Sequence, residues 1–257
     1  MSIASRYPVV SGITAVDSYL ADGFARVPGM SSRFAAAICC GLMRMQSELG
    51  VAGPVAEIGT FEGRFFIALC HALREGEVAL GLDLFDWPNE EVIDRFEANC
   101  LKHGVPAAKR ITWKVDSRTT TPAELLARTG EKRVRLFHVD GEHARASLAK
   151  DLALATAVLA PEGLIVLDDM LHPGYPTLMV TVHEYLEADP DMCVLAIIDR
   201  ETVVAATKFV LCRRQWFKRY EEALLAAYKD SVWPLGADFE PHWCLVLSLD
   251  TRLAAIT

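Results

Sequence analysis

The chain has 257 residues, 52% of them hydrophobic, and a formal net charge of -8. That length can bury a sizeable core in one domain, and the composition excludes a disordered or fibrous protein. The acidic balance argues against a protein that holds nucleic acid by bulk electrostatics, because neutralising phosphate takes clustered Lys and Arg. Basic residues concentrate near the C-terminus only at Lys208 to Arg214 and Lys218-Arg219, which read as a solvated strand end and a helix face. No secretory pattern and no bilayer-length apolar run is visible, so a soluble, cytoplasmic protein without a membrane partner is expected. The seven cysteines include no Cys-x-x-Cys pair and read as small apolar residues in a reducing compartment, not as a zinc site.

Along the chain, residues 1–53 read as a helical cover: "SGITAVDSYLADGF", then "MSSRFAAAICCGLMRMQSEL", where Ser31 or Ser32 can cap a long apolar helix that Gly50 ends. Residues 54–213 alternate strands with helices. The strands are "PVAEI", "VALGLDLF", "RITWKV", "VRLFHVD" and "GLIVLDD", with amphipathic helices between them. Near-continuous apolar strands joined by helical crossovers predict a doubly wound α/β fold with a mostly parallel sheet. "MCVLAIID" and "TKFVLCRR" stand too close together for a crossover and predict an antiparallel hairpin at one edge. Residues 214–257 hold a last amphipathic helix, "QWFKRYEEALLAAYKDS", and the short apolar stretch "HWCLVLSLD", which the pattern does not place. The whole is read as one domain.

Ligands of a doubly wound sheet sit at the carboxyl ends of the strands, near the point where strand order reverses. Acids collect at those ends here: Glu57 with Gly59 and Gly63, then Asp83, Asp116-Ser117, Asp140, and Asp168-Asp169. Gly59 and Gly63 are four apart with Thr60, Phe61 and Glu62 between them, so the Gly-x-Gly-x-x-Gly of a dinucleotide fold is absent. Acids beside a helix N-terminus also repel a pyrophosphate. A cationic nucleoside without phosphate, such as S-adenosylmethionine, fits better. Three carboxylates on the rim of strands four and five need a counter-cation, and Mg²⁺ suits such an oxygen-rich set.

"EIGTFEG" and "LGLDLF" resemble the first two motifs of class I S-adenosylmethionine-dependent methyltransferases. The resemblance implies that the Gly59–Gly63 turn, with Glu57 and Thr60, passes under the methionine part, that Asp83 receives the ribose hydroxyls, and that Asp116 and Ser117 lie by the adenine. "VDGEH" and "LDDM" are similar to segments of metal-dependent small-molecule O-methyltransferases of the macrolide and aminocoumarin sugar type and of the catechol type. By that resemblance Asp140, Asp168 and Asp169 are metal ligands, Asp140 also counts with the cofactor residues, and His143, placed where catechol-type enzymes carry a Lys, is the catalytic base beside Asp140. His172 competes for the role of base, while His138 reads as a core histidine. Arg64 and Arg145 read as solvated helix residues.

The expectation is a magnesium-assisted methyltransferase acting on a hydroxyl oxygen of a small molecule, with residues 10–50 forming part of the acceptor pocket. The apolar "FAAAICCGLM" serves equally as a core helix or as a homodimer contact. A protein that binds S-adenosylmethionine without turnover stands as the alternative. A nucleic-acid methyltransferase is disfavoured by the charge, and a nicotinamide oxidoreductase by the glycine spacing.

Overall fold

A computed structural model of the chain describes residues 9–239 and 241–251. The N-terminal region carries α1 (Thr14–Ser18) and α2 (Arg33–Glu48). Then follow β1 (Val55–Ile58), α3 (Arg64–His71), β2 (Ala79–Asp83), α4 (Val92–Lys102) and β3 (Arg110–Lys114). The second half of the alternation is α5 (Pro122–Arg128), β4 (Val134–Val139), α6 (Arg145–Val158), β5 (Leu159–Met170) and α7 (Leu178–Ala188). It closes with β6 (Met192–Ile198), β7 (Thr207–Arg213), α8 (Arg214–Tyr228), β8 (Ala237–Phe239) and β9 (His242–Leu247).

Local chemistry sets several of these boundaries. Ser32, not Ser31, starts α2: its hydroxyl accepts the Ala35 amide at 3.0 Å, a cap worth about 1 kcal/mol. A capping box between Thr121 and Glu124, with Pro122 in the first turn, starts α5. Phe34 to Met43 of α2 are buried throughout, so of the two readings of the apolar "FAAAICCGLM" the structure carries the core helix. Among the described residues no helix is long and apolar enough to cross a membrane.

Among the described residues nine strands join one sheet in the order β3-β2-β1-β4-β5-β7-β6-β9-β8. The strands from β3 to β5 are parallel, and β7 runs antiparallel to both β5 and β6. The expected hairpin is therefore present, and the sheet continues past it: the unplaced "HWCLVLSLD" is β9, parallel to β6, with β8 folded back on it. Two hydrophobic clusters cover the faces. One packs α2, α3, α4 and α8, and the other packs α5, α6 and α7. Helices change faces where strand order reverses, between β1 and β4, and a crevice opens at the carboxyl ends of those two strands.

Strand pleating then sorts the polar residues. Side chains alternate between faces, and Glu57 of β1 is in register with His138 of β4. Between β5 and β7 the pairs Val166↔Val210 and Leu167↔Phe209 carry Asp168 toward Lys208. Those four polar residues meet under the crevice. The basic run beginning at Lys208 thus differs from its reading as a solvated strand end: the Lys208 side chain is fully buried.

Candidate active site

The crevice at the switch point holds a cavity of about 850 Å³. Of the residues singled out in the sequence, Glu57, Gly59, Thr60, Asp83, Asp116, Ser117, Asp140, His143, Asp168 and Asp169 all line it, and so do Arg64 and His172. Eight carboxylate side chains face two arginines around its wall. Gly63 stands apart. It is the left-handed residue before α3, with φ 92°, and a Cβ there would press on Phe96 at 3.1 Å. Its role is to start the helix and let α4 approach.

The first turn shows why glycine is needed at its other end. Gly59 has φ 81°, and a Cβ would lie 1.8 Å from the Asp140 carbonyl oxygen, so β1 and β4 can come this close only without a side chain. Glu62, the acid inside the turn, faces away from the cavity. Its carboxylate takes the Arg95 guanidinium at 2.7 Å, and its carbonyl takes the Asn99 side chain, which fastens α4 to the turn. Asp83 closes the turn from β2: one oxygen accepts the Phe61 amide at 2.8 Å and the other the Phe85 amide at 2.7 Å. Burial raises its pKa, which those amides partly offset. Oδ2 also takes the Thr60 hydroxyl at 3.5 Å, which leaves Oδ1 the freer oxygen for a ligand hydroxyl.

At the end of β3, Asp116 is held by Arg118, whose guanidinium also reaches Glu142 at 2.9 Å across the crevice. That hydrogen bond holds the Asp116 carboxyl below the usual carboxylate range. Asp151 of α6, which no sequence pattern marked, lies buried behind this rim with one oxygen unpartnered among the described residues, and burial pushes its pKa up to about 6. Arg64 lines the cavity while its Nε donates to the Val27 carbonyl at 2.6 Å. It thereby holds the segment Pro28–Ser31, the part of the N-terminal region that reaches the cavity. Arg145 pairs with Glu184 at the surface, outside the cavity.

The chemistry concentrates on β4, β5 and β7. His138 is fully buried, stacks on Phe65 at 4.3 Å, and places Nδ1 2.8 Å from Glu57 Oε1. Its Nε2 lies 3.0 Å from Lys208 Nζ. An ammonium only donates, so Nε2 must be the bare nitrogen and the proton sits on Nδ1, donated to Glu57. Burial and then the Lys208 charge depress the His138 pKa well below its usual value, in keeping with a neutral ring. Lys208 Nζ is paired closely with Asp168 Oδ2 and lies 4.8 Å over the Phe65 ring. Burial opposes its charge, but Asp168 and Asp140 outweigh burial and raise its pKa. Burial, and next the charge of Asp168, push the Asp140 carboxyl well up. Glu57 is raised as well, first by burial, and its Oε2 is a buried oxygen with no partner among the described residues.

Asp169 is turned by a left-handed backbone, φ 58°, at the irregular end of β5, and aims at His143. His143 Nε2 lies 2.5 Å from Asp169 Oδ2, and its ring stacks on Tyr175 at 4.1 Å. Burial lowers the His143 pKa, while the Asp169 hydrogen bond and charge raise it by more, so the net shift is upward. His172 stacks on the other side of Tyr175 at 4.6 Å, but its Nδ1 is taken by the Gly174 amide. Of the two histidines, His143 has the carboxylate that orients a base.

A divalent ion held by Asp140, Asp168 and Asp169 needs free carboxylate oxygens. Asp168 accepts the Asp169 amide on Oδ1 and Lys208 on Oδ2, and Asp169 Oδ2 is taken by His143. The donor atoms that do approach within 4.8 Å form two triplets, His138/Asp140/Asp168 and Asp140/His143/Asp169, neither of which unites the three carboxylates. With an ammonium at Asp168, this arrangement does not fit a magnesium ion. Lys208 was missed because its neighbours Phe209, Val210 and Leu211 read as ordinary buried strand; the one signal was a lysine leading it.

A sheet with this strand order, reversed at β1 and β4 over an acid-lined crevice, defines the class I methyltransferase fold. Residues 56–170, which run from β1 through β5, match a family model described as a methyltransferase domain. Among curated proteins none matches the chain. Solved structures share the fold. The O-methyltransferase NovP is 14% identical with a TM-score of 0.57, over 71% of this chain and 80% of that one. An O-methyltransferase from Bacillus cereus in complex with SAH is 13% identical with a TM-score of 0.57, over 83% of this chain and 100% of that one. TomG from Streptomyces achromogenes, an O-methyltransferase involved in tomaymycin synthesis and seen in complex with SAM, is 18% identical with a TM-score of 0.53, over 78% and 87%.

Proposed function

We propose that this protein transfers a methyl group from S-adenosylmethionine to a hydroxyl oxygen of a small molecule. The observation that carries the reading is Glu57 Oε2, buried and without a partner among the described residues, in a cavity whose charged lining is mostly acidic. An unmatched buried acceptor favours a ligand that brings a cationic donor, and S-adenosylmethionine carries an amino group and a sulfonium. Asp83 would receive the ribose hydroxyls, and Asp116 with Ser117 would border the adenine. Thr60 and the Gly59 turn would lie under the methionine part. O-Methyltransferases of the same fold support an oxygen acceptor.

His143 is the base of this reading. The acceptor hydroxyl gives its proton to His143 as its oxygen attacks the sulfonium methyl; the O–CH₃ bond forms, the C–S bond breaks, and that electron pair stays on sulfur. Asp169 orients the imidazole and stabilises the imidazolium. Asp140 and the His143–Tyr175–His172 stack would border the acceptor. In-line placement of two substrates supplies much of the acceleration, and no covalent enzyme intermediate is needed. Magnesium takes no part in these steps, because Lys208 and His143 already pair with Asp168 and Asp169.

Calorimetric titration of the protein with S-adenosylmethionine and with S-adenosylhomocysteine tests the reading. Saturable binding of both, weakened in Glu57→Gln, is the expected result. A folded protein that binds neither would overturn it.

A further inference from the structure

We propose that Lys208 is the resident cation of the carboxylate cluster, standing where a divalent metal would otherwise be held, so that methyl transfer at this site needs no bound metal. The inference rests on the methyltransferase reading for its function but not for its geometry. Asp140 and Asp168 converge at the carboxyl ends of β4 and β5, and like charges at that distance require a counter-charge. Strand register supplies one. Lys208 enters from β7 opposite Asp168, is fully buried, and has its ammonium paired with Asp168.

The lysine is also held from behind. His138 Nε2 accepts from Nζ at 3.0 Å, Phe65 lies beneath the charge, and Nδ1–H of the same histidine reaches Glu57. A hydrogen-bonded path thus runs from Glu57 on the cofactor side to Asp168 on the acceptor side, through two residues that do not line the cavity. Lys208 is a positioning residue: it touches neither substrate, and it fixes the charge and the outward aim of Asp168. A metal ion at Asp168 would have to displace a fully buried ammonium. His143 pairs with Asp169, so Lys208 and His143 between them occupy two of the three carboxylates expected to hold the ion.

The test uses Mn²⁺ as probe, read by electron paramagnetic resonance and calorimetry on the full chain, with S-adenosylmethionine titrated in the same samples with and without EDTA. Wild type is expected to bind no Mn²⁺ at submillimolar concentration and to bind S-adenosylmethionine equally with EDTA present. Lys208→Met is expected to gain one Mn²⁺, and Lys208→Met with Asp168→Asn to lose it again. A purely structural lysine would produce no such gain. One Mn²⁺ bound tightly to wild type and lost in Asp168→Asn would overturn the proposal, as would a folded Lys208→Met that gains no metal. If Lys208→Met does not fold, the wild-type arm decides alone. Failure to bind S-adenosylmethionine would instead remove the methyltransferase reading, and the Mn²⁺ result would stand apart from it.

Discussion

Two cations are sealed at opposite ends of this sheet, and they are held differently. Arg135, near the start of β4, pairs with Glu77 at 2.7 Å and donates to the Met43 carbonyl and to Gln46 Oε1, both at 3.0 Å. Glu77 also accepts the Gly53 and Arg74 amides, and Gln46 donates back to the Arg135 carbonyl. None of these residues lines the cavity. Lys208 has the same burial, yet its partner Asp168 lies on a cavity wall with Asp140 beside it. The difference separates a staple from a site. A buried pair whose carboxylate is saturated by backbone amides ties α2 to the sheet, whereas a buried cation facing surplus carboxylates at a cavity sets a charge for something else to meet.

The largest expected effect would break the first pair. Glu77→Ala leaves Arg135 charged and uncompensated in a closed core, at a cost of about 3–5 kcal/mol. Asp168→Ala should cost less, about 1–3 kcal/mol, because Asp140 and cavity water can take over the ammonium. Urea denaturation of the two variants checks the order, and equal losses would erase the distinction drawn here. S-Adenosylmethionine affinity should survive Glu77→Ala wherever the protein stays folded.

A smaller effect sharpens the contrast on the ligand side. Asp83→Asn keeps the side-chain shape but removes the charge and one of the two acceptor oxygens that ribose hydroxyls would meet, and calorimetry should show S-adenosylmethionine binding weakened about 10- to 100-fold. Unchanged affinity would put the ribose elsewhere. Thermal stability should fall modestly as well, since a single amide oxygen can replace only one of the two carboxylate oxygens that accept the Phe61 and Phe85 amides.

The smallest effect concerns the second ion pair of the site. His143 has its pKa raised by Asp169, so the imidazolium stabilises the fold at low pH, and that contribution fades as pH rises through the raised value. A base must be neutral, so turnover should climb over the same interval. Asp169→Asn should move the His143 titration, followed by imidazole NMR, to lower pH. A titration that stays in place would detach His143 from Asp169.

Much of this protein is legible in its sequence because the relevant physics is local. Alternation of apolar strands with amphipathic helices dictates a doubly wound sheet, and period-two pleating with an acid at each strand end collects Glu57, Asp83, Asp116, Asp140 and Asp168 at one rim. Gly59 is readable for the same reason, as a turn with no room for a side chain. Tertiary structure decided the rest. The Lys208–Asp168 pair depends on the register of β7 against β5, set by packing between segments about forty residues apart, and nothing within either segment states it. Glu62 shows the converse. Its place beside the helix N-terminus argued against a pyrophosphate, but Arg95, brought in by the packing of α4, takes its charge. Residue type and strand position carry the chemistry available at the rim; which charges remain free there is settled only when distant strands and helices fix one another's partners.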